Sequence, residues 1–106
     1  MEDIRRFCRQ HCAVPCQGRF ASKSLTGEVV ELSFDVALIA RPSVLPPIGA
    51  KVVLRMAPSE EDVTVRARVV YLQKRGGGLF GIKFDGNCEE NLDKLAPLFK
   101  RFVGSQ

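Results

Sequence analysis

Alternation of apolar and polar residues is clearest between Val63 and Tyr71, where Val63, Val65, Ala67, Val69 and Tyr71 take one parity and Thr64, Arg66 and Arg68 the other. A period of two means a strand with one face in a core and the other carrying a basic stripe. Gly76, Gly77 and Gly78 form a hairpin turn, and Phe80, Ile82 and Phe84 alternate back along its second arm. Lys51 to Met56 alternates around Val52, Leu54 and Met56. Upstream, Cys12 to Phe20, Glu28 to Ser33 and Val36 to Arg41 read as three further strands, with Pro15 near the start of the first or on an edge. ASKSLTG, residues 21–27, is a turn by composition, and Ala57 to Asp62 is an acidic turn. RPSVLPPIG, residues 41–49, is an irregular loop because Pro42, Pro46 and Pro47 forbid a central strand. Val44 and Leu45 within it are expected to plug one end of the core.

Beyond Asn87 the period changes. Leu92, Leu95, Leu98, Phe99 and Phe102 recur at helical spacing, Asn87 with Glu90 resembles a capping box, and Lys100 and Arg101 suit the negative end of a helix dipole. Pro97 predicts a kink or two short helices, since it removes the bond to the carbonyl of residue 93. The apolar stripe is expected to cover an open end or face of the sheet; its second reading is a dimerisation or partner-docking helix. Consecutive strands with short turns and no intervening helix make a mostly β fold, an antiparallel meander-like sheet of six or seven strands closing into a barrel. The expected division is one domain over residues 1–106, with a flexible basic arm at 1–11, the barrel at 12–86 and the helix at 87–103.

Composition narrows the function classes. With 106 residues, 45% of them apolar and 26% charged, a single folded core is expected instead of disorder. The net charge of +4 attracts anions, which fits nucleotides, nucleic acid or an acidic partner equally. No apolar run reaches the roughly 20 residues needed to span a bilayer, and MEDIRRFCRQ lacks the apolar centre of a signal peptide, so a cytoplasmic location is expected. Free thiols are then expected at Cys8, Cys12, Cys16 and Cys88. A metal site built on them with His11 is disfavoured: on a strand, Cys12 and Cys16 lie about 13 Å apart, too far to share one ion. No cofactor is expected, and no enzyme either, for the single histidine lacks a Ser or Cys partner pattern and no phosphate-cradling glycine motif opens a helix. Nucleic acid is disfavoured because Phe80, Phe84, Phe99 and Phe102 are committed to the core or helix, leaving few rings for stacking on bases.

Two stretches carry the candidate chemistry. The amino-terminal arm holds Arg5, Arg6 and Arg9, the first and last spaced so that two guanidinium forks can close on one anion. About twenty residues later, ELSFDV joins two strands at a tight corner, Glu31 to Val36. Together, Arg5-x-x-x-Arg9 and this corner resemble the PilZ domain, a bacterial β-barrel receptor for cyclic di-GMP with the motifs RxxxR and [D/N]xSxxG. The first motif is matched in full. The second is matched at Ser33, with Glu31 where the family has Asp or Asn and Val36 where it has Gly. The resemblance continues through LPPIGAKVVLRM, the glycine-turned hairpin and the closing helix.

The resemblance implies that Arg5 and Arg9 grip phosphate or the guanine edge, that Glu31 accepts from guanine N–H groups, and that Ser33 donates to phosphate or base. Glycine at the last motif position marks positive φ or a backbone approached by ligand, so Val36 implies either a corner built differently or a ligand that sits farther out. The resemblance also implies an arm that changes posture on binding and a signal passed to a partner protein. The alternative is a degenerate domain that does not bind cyclic di-GMP and acts by protein–protein interaction, with homodimerisation a further option.

Overall fold

The computed structural model describes residues 10–59 and 61–102, so Arg5, Arg6, Arg9 and Cys8 lie outside the described residues. Six strands, β1 (Gln10–Phe20), β2 (Lys23–Leu32), β3 (Val36–Ala40), β4 (Lys51–Met56), β5 (Val63–Gln73) and β6 (Leu79–Phe84), are followed by one helix, α1 (Cys88–Phe102). They close into an antiparallel barrel in the order β1-β2-β3-β6-β5-β4. The order departs from a simple meander. Two three-stranded meanders are joined by residues 41–50, whose prolines keep that segment off the sheet and let it cross the barrel end, so β3 pairs with β6 and β1 with β4.

Alternation builds the core as expected. Val14, Leu25, Val29, Leu32, Ile39, Val52, Leu54, Met56, Phe80 and Ile82 are buried, with Leu95 and Leu98 of α1 closing one end. Val44 and Leu45 pack at the other end, where Ser43 N–H donates to the Thr26 carbonyl and Arg41 N–H to that of Gly78.

Several boundaries move. β2 begins at Lys23, not Glu28, because only Ala21 and Ser22 turn the chain: Phe20 registers with Lys23, and Ala21 adopts φ 55°. β1 begins at Gln10, and β3 ends at Ala40, with Arg41 at φ 52° and ion-paired to Glu28. Tyr71 does not follow its parity into the core; a register shift between Val69 and Tyr71 turns it outward. Pro97 lies inside an uninterrupted helix. The carbonyl it deprives belongs to exposed Asp93, where solvent can take the missing bond.

The capping box forms as its residues predict: Glu90 N–H donates to Asn87 Oδ1 at 2.9 Å, and Asn87 N–H donates to Glu90 Oε1 at 3.1 Å. Among the described residues no helix is long and apolar enough to cross a membrane.

Candidate ligand site at the β2–β3 corner

Residues Ser33, Phe34 and Asp35 turn the chain between β2 and β3, and the serine organises the turn. Its N–H donates to the Val36 carbonyl at 2.9 Å and its hydroxyl donates to the same oxygen at 3.2 Å. The hydroxyl oxygen accepts from Asp35 N–H at 3.1 Å and from Val36 N–H at 3.0 Å. Ser33 is completely buried, so each bond replaces one that water would otherwise supply. Val36 begins β3 opposite Lys83, and no residue of the corner has positive φ. A β-branched side chain therefore fits there without backbone strain, and this is how the corner differs from one that needs glycine.

Glu31 is the half-buried end of the site. It registers with His11 on one side and Leu38 on the other. His11 Nδ1 stands 3.8 Å from Glu31 Oε2, with the imidazole side chain almost fully exposed and the carboxylate side chain 26% exposed. The cysteines nearby are shielded. The Cys12 thiol donates to the Val29 carbonyl at 3.4 Å; burial, then the charge of Glu31, pushes its pKa up to about 11. Burial pushes Cys16 up to about 12 against the lowering effect of the Gly27 backbone.

Helix α1 holds the corner from behind. Asn91, only 6% exposed, donates through Nδ2 to the Phe34 carbonyl at 3.0 Å. The Phe34 ring lies on Phe99, with centroids 4.5 Å apart and planes 38° from parallel. Phe84 N–H donates to the Asp35 carbonyl at 2.9 Å, so β6 ties the turn as well. Asn91 escapes a reading of motifs, although the helical stripe signals it: Asn91, Leu95, Leu98 and Phe99 share one face, and a polar residue there must find a buried partner.

The strand register decides what meets at this end. Gln10 pairs with Leu32, the residue before Ser33, so the chain enters β1 beside the corner. The entrance from the arginine segment, Glu31, the Ser33–Val36 turn and the capping helix all belong to one end of the barrel. The side chains of Arg5, Arg6 and Arg9 themselves are outside the described residues.

Comparison with known proteins agrees with this architecture. The PilZ domain family model matches residues 3–101, and the chain belongs to that family. PilZ domains are signalling modules of the type that binds cyclic di-GMP, and they are binding and adaptor domains. Among solved structures, the Bacillus subtilis inhibitor of motility (MotI/DgrA) has a similar fold at TM-score 0.63 and 13% identity. The match covers 88% of this chain and 48% of that one, so the chain spans about half the length of this neighbour. A search of curated protein sequences gives no match.

Proposed function

We propose that this chain binds cyclic di-GMP at the β2–β3 corner and passes the event to a partner protein through helix α1. Arg5 and Arg9, with Arg6 beside them, supply the guanidinium forks; Glu31 accepts from a guanine edge; and Ser33 and Val36 set the shape of the turn against which the ligand lies. The observation that carries this reading is the pairing of Gln10 with Leu32. An extended chain gains at most ~3.6 Å per residue, so Arg9 is tethered within one residue of a strand end that adjoins the corner, and Arg5 within about 18 Å. Family membership supports the ligand class. The hydrogen bond from Asn91 and the Phe34–Phe99 contact supply the mechanical link from ligand to helix.

Calorimetric titration with cyclic di-GMP tests the reading. A guanidinium-to-phosphate hydrogen bond contributes about 2 kcal/mol, so Arg9→Ala is expected to weaken binding about 30-fold. The absence of heat with the wild-type chain at about 100 μM ligand, a concentration that would reveal even micromolar affinity, would exclude it.

A specific observation favours a second reading. The Ser33 hydroxyl hydrogen is committed to the Val36 carbonyl, and Val36 replaces the motif's glycine. A domain so altered can serve as a ligand-independent adaptor, in which case partner binding persists after Arg5 and Arg9 are both replaced.

A further inference from the structure

The barrel end opposite α1 carries charge of one sign. Register gathers the β1–β2 turn at 21–22, the β3–β4 loop at 41–50 and the β5–β6 turn at 74–78 there. Arg19, Lys23, Arg41, Lys51, Lys74 and Arg75 lie on or beside these connections, and all six are exposed. Across residues 19–28, 41–51 and 73–79 the only carboxylate is Glu28, which is ion-paired to Arg41. The other five cations have no ion-pair partner among the described residues. Carboxylates gather instead towards the corner end, in the β4–β5 turn (Glu61, Asp62), after β6 (Asp85) and on α1 (Glu89, Glu90, Asp93). Like charges crowded at one end repel one another and weaken the fold, so stability does not account for them.

From the same end a pinned turn presents an apolar side chain. Ile48 is 62% exposed, more than any other large hydrophobic residue described. Ala50 N–H donates to the Pro47 carbonyl at 3.1 Å, closing a turn with Ile48 and Gly49 at its centre. Gly49 takes φ 89°, which the second central position of a type II turn requires. Behind the turn Pro46 is buried, Gly49 N–H donates to the Val69 carbonyl at 2.8 Å, and Val69 N–H donates to the Ala50 carbonyl at 2.9 Å. A lone exposed isoleucine is ordinary. One carried on a fixed turn amid unpaired cations fits an occupant that is both apolar and anionic.

An anionic bilayer is such an occupant. An apolar side chain can sink into the boundary between headgroups and acyl chains while lysines and arginines around it meet anionic headgroups. A protein or nucleic-acid partner would call for rings, since interface hot spots and base stacking both lean on aromatic side chains. The three connections at this end contain no aromatic residue.

We propose that this barrel end docks on the surface of an anionic membrane, with Ile48 entering the headgroup layer and Lys23, Lys51, Lys74 and Arg75 meeting the lipid phosphates. Docked so, the corner and α1 face away from the bilayer, and the assignment is independent of what the corner binds. Flotation of the full chain with vesicles of phosphatidylglycerol and phosphatidylcholine in equal parts, against phosphatidylcholine alone, tests it. Binding to the anionic vesicles only is expected, falling as salt rises. Lys74→Gln/Arg75→Gln should weaken it about 25-fold, at about fivefold per cation. Ile48→Asn should weaken it roughly tenfold. Both variants are checked for an unchanged melting curve. The chain has no tryptophan, so Ile48→Trp supplies a single fluorophore whose emission should shift to the blue on the anionic vesicles. No binding, equal binding to both vesicles, or unshifted emission would overturn the assignment. So would binding that survives Lys74→Gln/Arg75→Gln and is lost when Arg5, Arg6 and Arg9 are replaced by glutamine, which would move the contact to the amino-terminal arm. Capture by a poly-glutamate resin or a random oligonucleotide that depends on Lys74 and Arg75, with none by vesicles, would make the occupant an acidic protein or a nucleic acid and overturn it as well.

Discussion

Replacing Asn91 with alanine removes one hydrogen bond, and the structure indicates how much that should cost. The Nδ2 donor sits 3.0 Å from the Phe34 carbonyl inside a junction from which Asn91 exposes only 6% of its surface. Without it the carbonyl loses its donor at a site with little access to water, a penalty of about 1–3 kcal/mol. For a domain of this size each kcal/mol lowers Tm by roughly 4–8 °C, so Asn91→Ala should melt roughly 5–20 °C below wild type by calorimetry or circular dichroism. Asn91→Asp sharpens the test, because the carboxylate keeps the shape but at neutral pH turns a second acceptor toward the carbonyl. Burial raises that carboxyl's pKa, so the protonated form restores a donor at low pH, and stability is lost as pH rises through the raised folded value. The variant should therefore be less stable than Asn91→Ala near neutrality and recover relative to it in acid. A Tm for Asn91→Ala within about 2 °C of wild type would refute the claim that this bond locks the corner to the helix.

Other consequences are equally concrete. Ser33→Ala removes the bonds that its hydroxyl makes to Val36 and Asp35 and should cost about 1–3 kcal/mol in urea unfolding. A double-mutant cycle on Phe34 and Phe99, each changed to leucine, should return a coupling of about 0.5–1.5 kcal/mol, and a coupling near zero would mean the rings do not act as a pair. Site-resolved alkylation should find Cys16 and Cys12 protonated and slow at pH 8, since burial raises both above the ordinary 9.0. Stability linked to these thiols is full below that unfolded value and is lost as pH rises towards about 11 for Cys12 and about 12 for Cys16.

The parts of the fold legible in the sequence were those governed by local periodicity. Val52, Leu54 and Met56, or Phe80, Ile82 and Phe84, can satisfy a period of two in only one way, and the structure buries all six. The Asn87–Glu90 box is legible for the same reason, because its partners are three residues apart. Non-local contacts were not legible. The inter-strand register, which alternation does not reveal, decides that β3 finds β6 and that Tyr71 slips out of phase. Ala21 with φ 55° hid the short first hairpin, since turn chemistry favours glycine, asparagine or aspartate in such a conformation.

At the site, Ser33 stood out because its spacing from Glu31 and Val36 matches a motif, but its bonds within the turn depend on the corner's own geometry. Asn91 lies 57 residues from the carbonyl it holds, a distance no motif spans.

The most direct test of the account is an amide NMR titration of the full chain with cyclic di-GMP. Binding at the corner predicts saturable shifts at Glu31, Ser33 to Val36 and Gln10, followed through the junction to Asn91 and Phe99, while residues 43–50 at the opposite barrel end stay unmoved. Shifts confined to residues 43–50, or none at millimolar ligand, would contradict it.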